Sequence, residues 1–275
     1  MFEVVRNVPA PTPYGVVDLA ELQNPQARRL TVWWLGNAGF AINWAGRVIL
    51  VDPVIEPLTD SQPLVSEIDL PLRGPLPLRA SQMTRADLVL LTHDDGDHTG
   101  PKTTPELIAR TSATFVGTER TARKLDEYGL PRSRVRLARY DEPIALGDLS
   151  VIPTPARHQE AQGHTVRGEC CGFIIRADGF SLWHPNDTDL LPEHLQVKGV
   201  DLLLLPIAPH VLGLGGSIAL CASTAAPHII PCHYGTYDSD QFWCTGDPEA
   251  VRAGVQDAGA RYHMLPIGGK LTLPL

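Results

Sequence analysis

Residues 86–100 read ADLVLLTHDDGDHTG, an apolar run that gives way to two histidines and three aspartates around a glycine. Acidic stretches with Gly are usually solvated turns, because Asp tolerates unusual backbone angles and bonds its own amides. Here the segment follows residues 88–91, whose unbroken apolar character is that of a buried strand. The polar groups therefore stand where a core strand ends. A helix would turn His93 and Asp97 to one face and Asp95 to the other, so convergence requires a loop curled about a point, which Gly96 permits. Imidazoles and carboxylates crowded together repel or lose hydration unless a cation holds them. The segment reads as a metal site.

A site at one strand end should draw further ligands from others. Upstream, residues 30–53 (LTVWWLGNAGFAINWAGRVILVDP) predict three strands with turns at Gly36-Asn37 and Ala45-Gly46, the last strand stopping at Asp52-Pro53 with a carboxylate at its tip. Downstream, TPARHQE places His158 beyond a strand over 149–153, PNDTD places Asp187 beyond FSLWH (180–184), and PCHYGTYD places His233 beyond residues 228–230. Singly, such residues are commonly surface groups or helix caps. Together they supply His93, Asp95, His158 and Asp187 for one metal, and Asp97, His98, Asp187 and His233 for a second. Asp187 would bridge, with room for water between the ions.

The whole chain bounds this reading. Its 275 residues, 43% hydrophobic and 20% charged, are of ordinary globular composition. A net charge of −8 without a basic stripe argues against a nucleic-acid partner. The opening MFEVVRNVPAPTPYG lacks a signal-peptide core, and no apolar run approaches membrane-spanning length. Five cysteines, clustered only as Cys170-Cys171, are not a disulfide framework. The expectation is a cytoplasmic protein acting on a small molecule. Helices are predicted over 104–110, 119–128 and 248–258. Further strands are predicted over 113–116, 134–139, 172–176 and 201–205, with a strand pair over 261–273. Residues 55–85, rich in Pro and Leu, read as a covering loop or lid, and the stretch 63–78 as a candidate interface in a homo-oligomer. Gly-containing segments 159–169 and 208–222 read as loops flanking an opening. A strand meander followed by alternating strands and helices, with no linker, predicts one domain over 1–275: two packed sheets, helices outside.

The order THDDGDH, a histidine after a strand, an aspartate in a strand-end turn and a histidine near the C-terminus resembles the metallo-β-lactamase superfamily, whose hallmark is H-x-H-x-D-H. The order holds over about residues 30–275. FVGTERTARKL, GLPRSRV, LGDLSV, SLWHPNDTD and IIPCHYGTYD also have counterparts in the ascorbate-6-phosphate lactonase branch, to which the chain is most similar. The resemblance implies an α/β, four-layer αββα sandwich of two mixed sheets with helices outside. It also implies two divalent metal ions (Mn, Zn or Fe) and hydrolysis of a lactone or other ester by hydroxide held between them. Asp97 would orient that nucleophile. Relatives with similar order cleave phosphodiesters, which here would mean a small or lipid substrate.

Asp95 stands where the superfamily has its second histidine, and Asn186 where relatives often have Gly. An oxygen donor hardens the first site toward Mn or Fe. Flavodiiron relatives carry Glu there and hold two irons, so a di-iron oxygen- or redox-active enzyme is a further reading. Asp52 is placed to orient a histidine from behind. His164 and Tyr234, near His158 and His233 in sequence, are candidate proton donors to the leaving group, as is Tyr237. Arg157 and Arg167 are candidates to bind an anionic substrate group.

Overall fold

In the computed structural model, residues 11, 13–158, 168–241, 244–255 and 259–275 are described. A four-residue helix α1 (Leu19–Leu22) leads into an antiparallel meander of β1 (Arg29–Gly36), β2 (Gly39–Trp44) and β3 (Arg47–Val51). Both expected turns use left-handed backbone: φ is 98° and 46° at Gly36 and Asn37, 47° and 94° at Ala45 and Gly46. Paired positive φ values suit the twist of a tight hairpin. The chain continues through β4 (Pro57–Thr59), β5 (Val65–Ser66), β6 (Leu88–Leu90), α2 (Thr103–Arg110), β7 (Thr114–Gly117), α3 (Glu119–Glu127) and β8 (Val135–Leu137). There follow β9 (Ile144–Leu146), β10 (Leu149–Pro155), β11 (Cys171–Ala177), β12 (Phe180–His184), β13 (Leu202–Pro206), α4 (Gly213–Thr224), β14 (His228–Cys232), α5 (Pro248–Val255), β15 (Arg261–Tyr262) and β16 (Lys270–Pro274).

Two mixed seven-stranded sheets result, ordered β16-β1-β2-β3-β6-β7-β8 and β15-β14-β13-β12-β11-β10-β9. The strands are apolar on both faces because both faces are covered. Leu30, Val32 and Trp34 of β1 join Phe173, Ile175 and Leu182 of the second sheet in one core. The alternate residues Trp33 and Leu35 pack with Leu107 of α2 and Leu125 of α3 in another. Leu220 of α4 and Val251 of α5 cover the second sheet. The layers are helix, sheet, sheet, helix, as expected.

Two expectations are corrected. The last two strands do not pair with each other: β15 pairs with β14 and β16 with β1, so the chain crosses from one sheet to the other between them. The segment 208–222 is not a loop throughout but contains α4. Glycines at 213, 215 and 216 each cost about 1 kcal/mol in a helix, yet Ser217, Leu220, Cys221 and Thr224 are buried, and packing outweighs propensity. Side-chain hydrogen bonds tie the covering segment 55–85 to α2. The Glu67 carboxylate, buried at 5% exposure, accepts from the backbone N–H groups of Lys102 (2.6 Å) and Thr103 (2.8 Å) and from the Thr103 hydroxyl, capping α2. Glu56 likewise accepts from the Ser81 N–H at 2.7 Å. Removing Glu67 strands buried donors, so Glu67→Ala should lower unfolding free energy in urea by about 2–3 kcal/mol. Glu67→Gln, which keeps an acceptor, should lose less. Among the described residues no helix is long and apolar enough to cross a membrane.

Candidate metal centre

β3 and β6 run parallel, as do β12, β13 and β14. β10 is antiparallel to β11, which is antiparallel to β12, so β10 shares their direction. The carboxyl ends of these strands form a rim of the kind where ligands collect. Asp52 follows β3, residues 93–98 follow β6, His158 follows β10, Asp187 follows β12, His210 follows β13 and His233 follows β14. Two backbone bonds tie the sheets there: the Cys171 N–H donates to the Thr92 carbonyl (3.0 Å) and the His233 N–H to the Asn37 carbonyl (2.8 Å). Asp52, Asn186 and His233 turn sharply, with φ of 41°, 76° and 62°. Such backbone costs a non-glycine residue roughly 1–3 kcal/mol and persists where its surroundings dictate it.

Among the described residues the side chains converge in three groups, His93/Asp95/His158, Asp97/His98/His233 and His158/Asp187/His210, the donor atoms of each lying within 4.8 Å of one another. Asp95 Oδ2 is 3.5 Å from His93 Nε2 and 3.9 Å from His158 Nε2. Asp97 Oδ2 is 3.5 Å from His98 Nε2 and 3.8 Å from His233 Nε2. Asp187 Oδ2 reaches His233 Nε2 at 2.8 Å and His98 Nε2 at 3.4 Å, and groups also with His158 and His210. Donors about 2.0–2.2 Å from one ion stand roughly 3.0–3.6 Å apart, close to these separations. Asp187 Oδ1 and His98 Nε2 are buried without a hydrogen-bond partner, an arrangement that a cation relieves. The residues present therefore fit divalent metal.

The histidine expected to be held from behind is His98. Its Nδ1 lies 2.8 Å from Asp52 Oδ2, while Asp52 accepts from the Thr92 N–H (2.8 Å) and hydroxyl (2.6 Å). An Nδ1–H donated to Asp52 leaves the Nε2 lone pair facing the cluster. Asn37, in the β1–β2 turn, donates through Nδ2 to Asp97 Oδ2 (3.2 Å) and to its carbonyl (3.0 Å). Asn37 was not anticipated from sequence.

Burial opposes charge on His98, but Asp97, Asp187 and Asp52 together hold its pKa well above the ordinary histidine value. Burial would raise the Asp187 carboxyl, yet His233 and His98 hold it well below the carboxylate range. His158 is pushed down by burial to about 4 and presents a neutral ring. A cation bound at His98 must displace the proton that the metal-free site retains at neutral pH. Metal affinity should therefore weaken on acidification below the raised His98 pKa, approaching roughly tenfold per pH unit. Calorimetry in buffers of different ionisation enthalpy should register proton release at pH 7; uptake without release would contradict this.

Of the other expected residues, His164 and Arg167 lie outside the described ones. Tyr234 is corrected. It is 1% exposed, stacked on Trp34 with centroids 4.9 Å apart, and burial pushes its hydroxyl far up. The chain turns through left-handed backbone at His233 (φ 62°), and Tyr234 after it packs into the core between the sheets. Tyr237 is buried near Asp97, which together with burial raises its hydroxyl pKa well above normal. Arg157, a candidate for an anionic substrate group, pairs with Asp189, Nε to Oδ2 3.0 Å. The residue that sequence reading missed is His210. Its Nε2 is 3.6 Å from Asp187 Oδ2, and its ring centroid is 5.4 Å from that of His158 and 5.5 Å from that of His233. The signal was present, since His210 follows an apolar strand end just as His158 and His233 do.

A family model described as a beta-lactamase superfamily domain matches residues 47–234. Similar sequences include a metal-dependent hydrolase of Archaeoglobus fulgidus, 26% identical over 240 residues, covering 84% of this chain and 92% of the relative. Another, from Pyrococcus furiosus, is 26% identical over 247 residues, covering 88% and 99%. Among solved structures, Igni18, a novel metallo hydrolase from Ignicoccus hospitalis, matches with TM-score 0.70 and 23% identity over 90% of this chain and 99% of that one. CmlA, a diiron beta-hydroxylase from Streptomyces venezuelae, matches with TM-score 0.66 and 17% identity over 92% and 55%. These structural likenesses concern the fold. With a family match over most of its length, two stacked mixed sheets flanked by helices and a histidine–aspartate cluster at their rim, the chain belongs to the metallo-β-lactamase superfamily.

Proposed function

We propose that this chain is a metal-dependent hydrolase of a lactone or another ester, in which His93, Asp95 and His158 would hold one divalent ion, Asp97, His98 and His233 a second, and Asp187 would contribute to both. The observation that carries the reading is the pair of triads, each of two imidazoles and one carboxylate, meeting at one buried aspartate. The description of its relatives as metal-dependent hydrolases agrees with it. When bound, the cations would supply Lewis acidity for an attacking water and for a carbonyl oxygen. The chain's own groups do the rest. Asp97, steadied by Asn37, faces the gap between His98 and His233 and orients the attacking water. Asp52 fixes the His98 ring, and neutral His158 is available without losing a proton.

An ester carbonyl suits the surroundings better than a phosphodiester anion. Three cations among the described residues near the site already have partners: Arg120 lies 2.9 Å from Asp94 Oδ1, Lys124 donates to the Asp94 carbonyl, and Arg157 pairs with Asp189. Lactones, simple carboxylic esters and bis(4-nitrophenyl) phosphate, assayed after chelation and after readdition of Mn or Zn, decide between them. Turnover of lactones or esters that chelation abolishes and metal restores is expected; phosphodiester cleavage without ester cleavage would contradict the proposal. Asp95, an oxygen donor inside the first triad, keeps a di-iron, oxygen-consuming reaction as the second reading.

A further inference from the structure

Of the aspartates within residues 93–98, Asp95 and Asp97 join the metal-holding groups and Asp94 does not. Asp94 turns to α3 instead. Arg120 Nε lies 2.9 Å from its Oδ1 and 3.0 Å from its Oδ2, so one guanidinium N–H is shared between both carboxylate oxygens. Lys124, one turn further along the same face of α3, donates from Nζ to the Asp94 carbonyl. Side chain and backbone of one residue are thus both gripped from the helix.

The carbonyls on either side are held within the loop. The Thr99 hydroxyl donates to the His93 carbonyl at 2.6 Å, and the N–H groups of His98 and Thr99 donate to the Asp95 carbonyl at 3.0 Å and 2.7 Å. Those bonds fix the curl of the loop, whereas the contacts at Asp94 tie it to a helix that is itself anchored. Leu125 of α3 is buried with Leu107 and Phe115, and the Thr118 hydroxyl caps the helix by accepting from the Thr121 N–H at 3.3 Å. A cavity of about 420 Å³, lined by Asp94, Asp95, Arg120 and Lys124 among others, lies between loop and helix, so polar contacts rather than close apolar packing join them there. Burial lowers the Lys124 pKa, and the carboxylates of Asp94, Asp95 and Asp97 act against that, so the ammonium is felt by the ligand-bearing loop.

Resting on the two-ion reading above, we infer that Arg120 and Lys124 are positioning residues for the first ion: by holding Asp94 against α3 they present its neighbour Asp95 to the point between His93 and His158. The clamp also decides which of two adjacent carboxylates serves. Asp94, paired with Arg120, is kept out of the centre, while Asp95 Oδ2 stands 3.5 Å and 3.9 Å from the two rings. A loop released from α3 would have to be ordered when metal arrives, at an entropic cost to affinity. That cost falls on the first ion. In the second set, Asp97 is steadied by Asn37 and His98 by Asp52, and neither contact involves α3.

Zinc titration of the metal-free full chain against a chromophoric chelator resolves the two binding steps without any need for turnover. Arg120→Met should weaken one step by about tenfold to a hundredfold and leave the other within about threefold. Arg120→Lys should stay within about threefold at both steps, because a lysine ammonium reaches as far as the Nε that makes the contact. Asp94→Ala, alone or combined with Arg120→Met, should lose no more than Arg120→Met alone, since one contact is broken only once. Lys124→Met acts at a separate contact and should weaken the same step, so the outcome does not hang on one variant. The metal-free Tm should stay close to that of the wild type throughout. Two unchanged steps, two steps weakened alike with a lowered Tm, or additive losses in the double variant would overturn the inference. A single binding step in the wild type would instead overturn the two-ion reading, and the clamp would then be judged on whether Arg120→Met weakens that step.

Discussion

Asp187→Ala should lose bound metal and lower kcat/KM by about 10³-fold or more. Asp187 Oδ2 lies 2.8 Å from His233 Nε2, 3.4 Å from His98 Nε2 and 3.6 Å from His210 Nε2, and the carboxylate also groups with His158 of the first triad. On the proposed two-ion reading its removal would take one donor from each ion and leave His98, whose raised pKa depends partly on Asp187, less able to tolerate charge. The two ions would also lose the negative charge that offsets their mutual repulsion. Because the side chain is buried at the end of β12, outside both apolar cores, truncation should affect metal retention more than folding. Elemental analysis of dialysed protein together with single-turnover kinetics measures both effects. A variant that keeps its metal and its rate would mean that Asp187 bridges nothing.

Asp95→His should change which metal is held rather than whether one is held. The wild-type first triad offers His93, His158 and a hard oxygen from Asp95, whose side chain is 10% exposed and turned to both rings. Imidazole in its place gives a three-nitrogen triad and removes one negative charge, conditions that favour Zn over Mn or Fe. Competition between Zn and Mn for the two proteins should show the Zn:Mn affinity ratio rising by roughly tenfold or more in the variant. An unchanged ratio would show that Asp95 does not ligate. The change is informative because Asp97, His98 and His233 are untouched, so any shift originates in the first triad.

The rim was legible in sequence wherever a continuous apolar strand ran straight into a ligand-type residue, as at Leu90 to His93, Pro155 to His158, His184 to Asp187 and Cys232 to His233. Strands buried on both faces have no polar alternation to blur, so their ends are sharp. His210 obeyed the same rule after Pro206 but was passed over, because the glycines that follow suggested a loop where burial builds α4. Asn37 reads from sequence only as a turn residue; that its side chain steadies Asp97 depends on the β1–β2 turn and the segment after β6 meeting at one rim, with β3 between β2 and β6 in the sheet. The sheet membership of β15 and β16 was equally out of reach, since strands of two and five residues say little about which distant edge they join. Glu67 shows the same limit, for nothing local reveals that its carboxylate caps a helix 36 residues away.

Elemental analysis of the protein, purified without chelator and then saturated with metal and dialysed, tests the shared-aspartate centre most directly. Two equivalents of Mn, Zn or Fe per chain, falling together in Asp187→Ala, are expected. A single equivalent at saturation, or a metal content indifferent to Asp187, would contradict a centre built of two triads on one carboxylate.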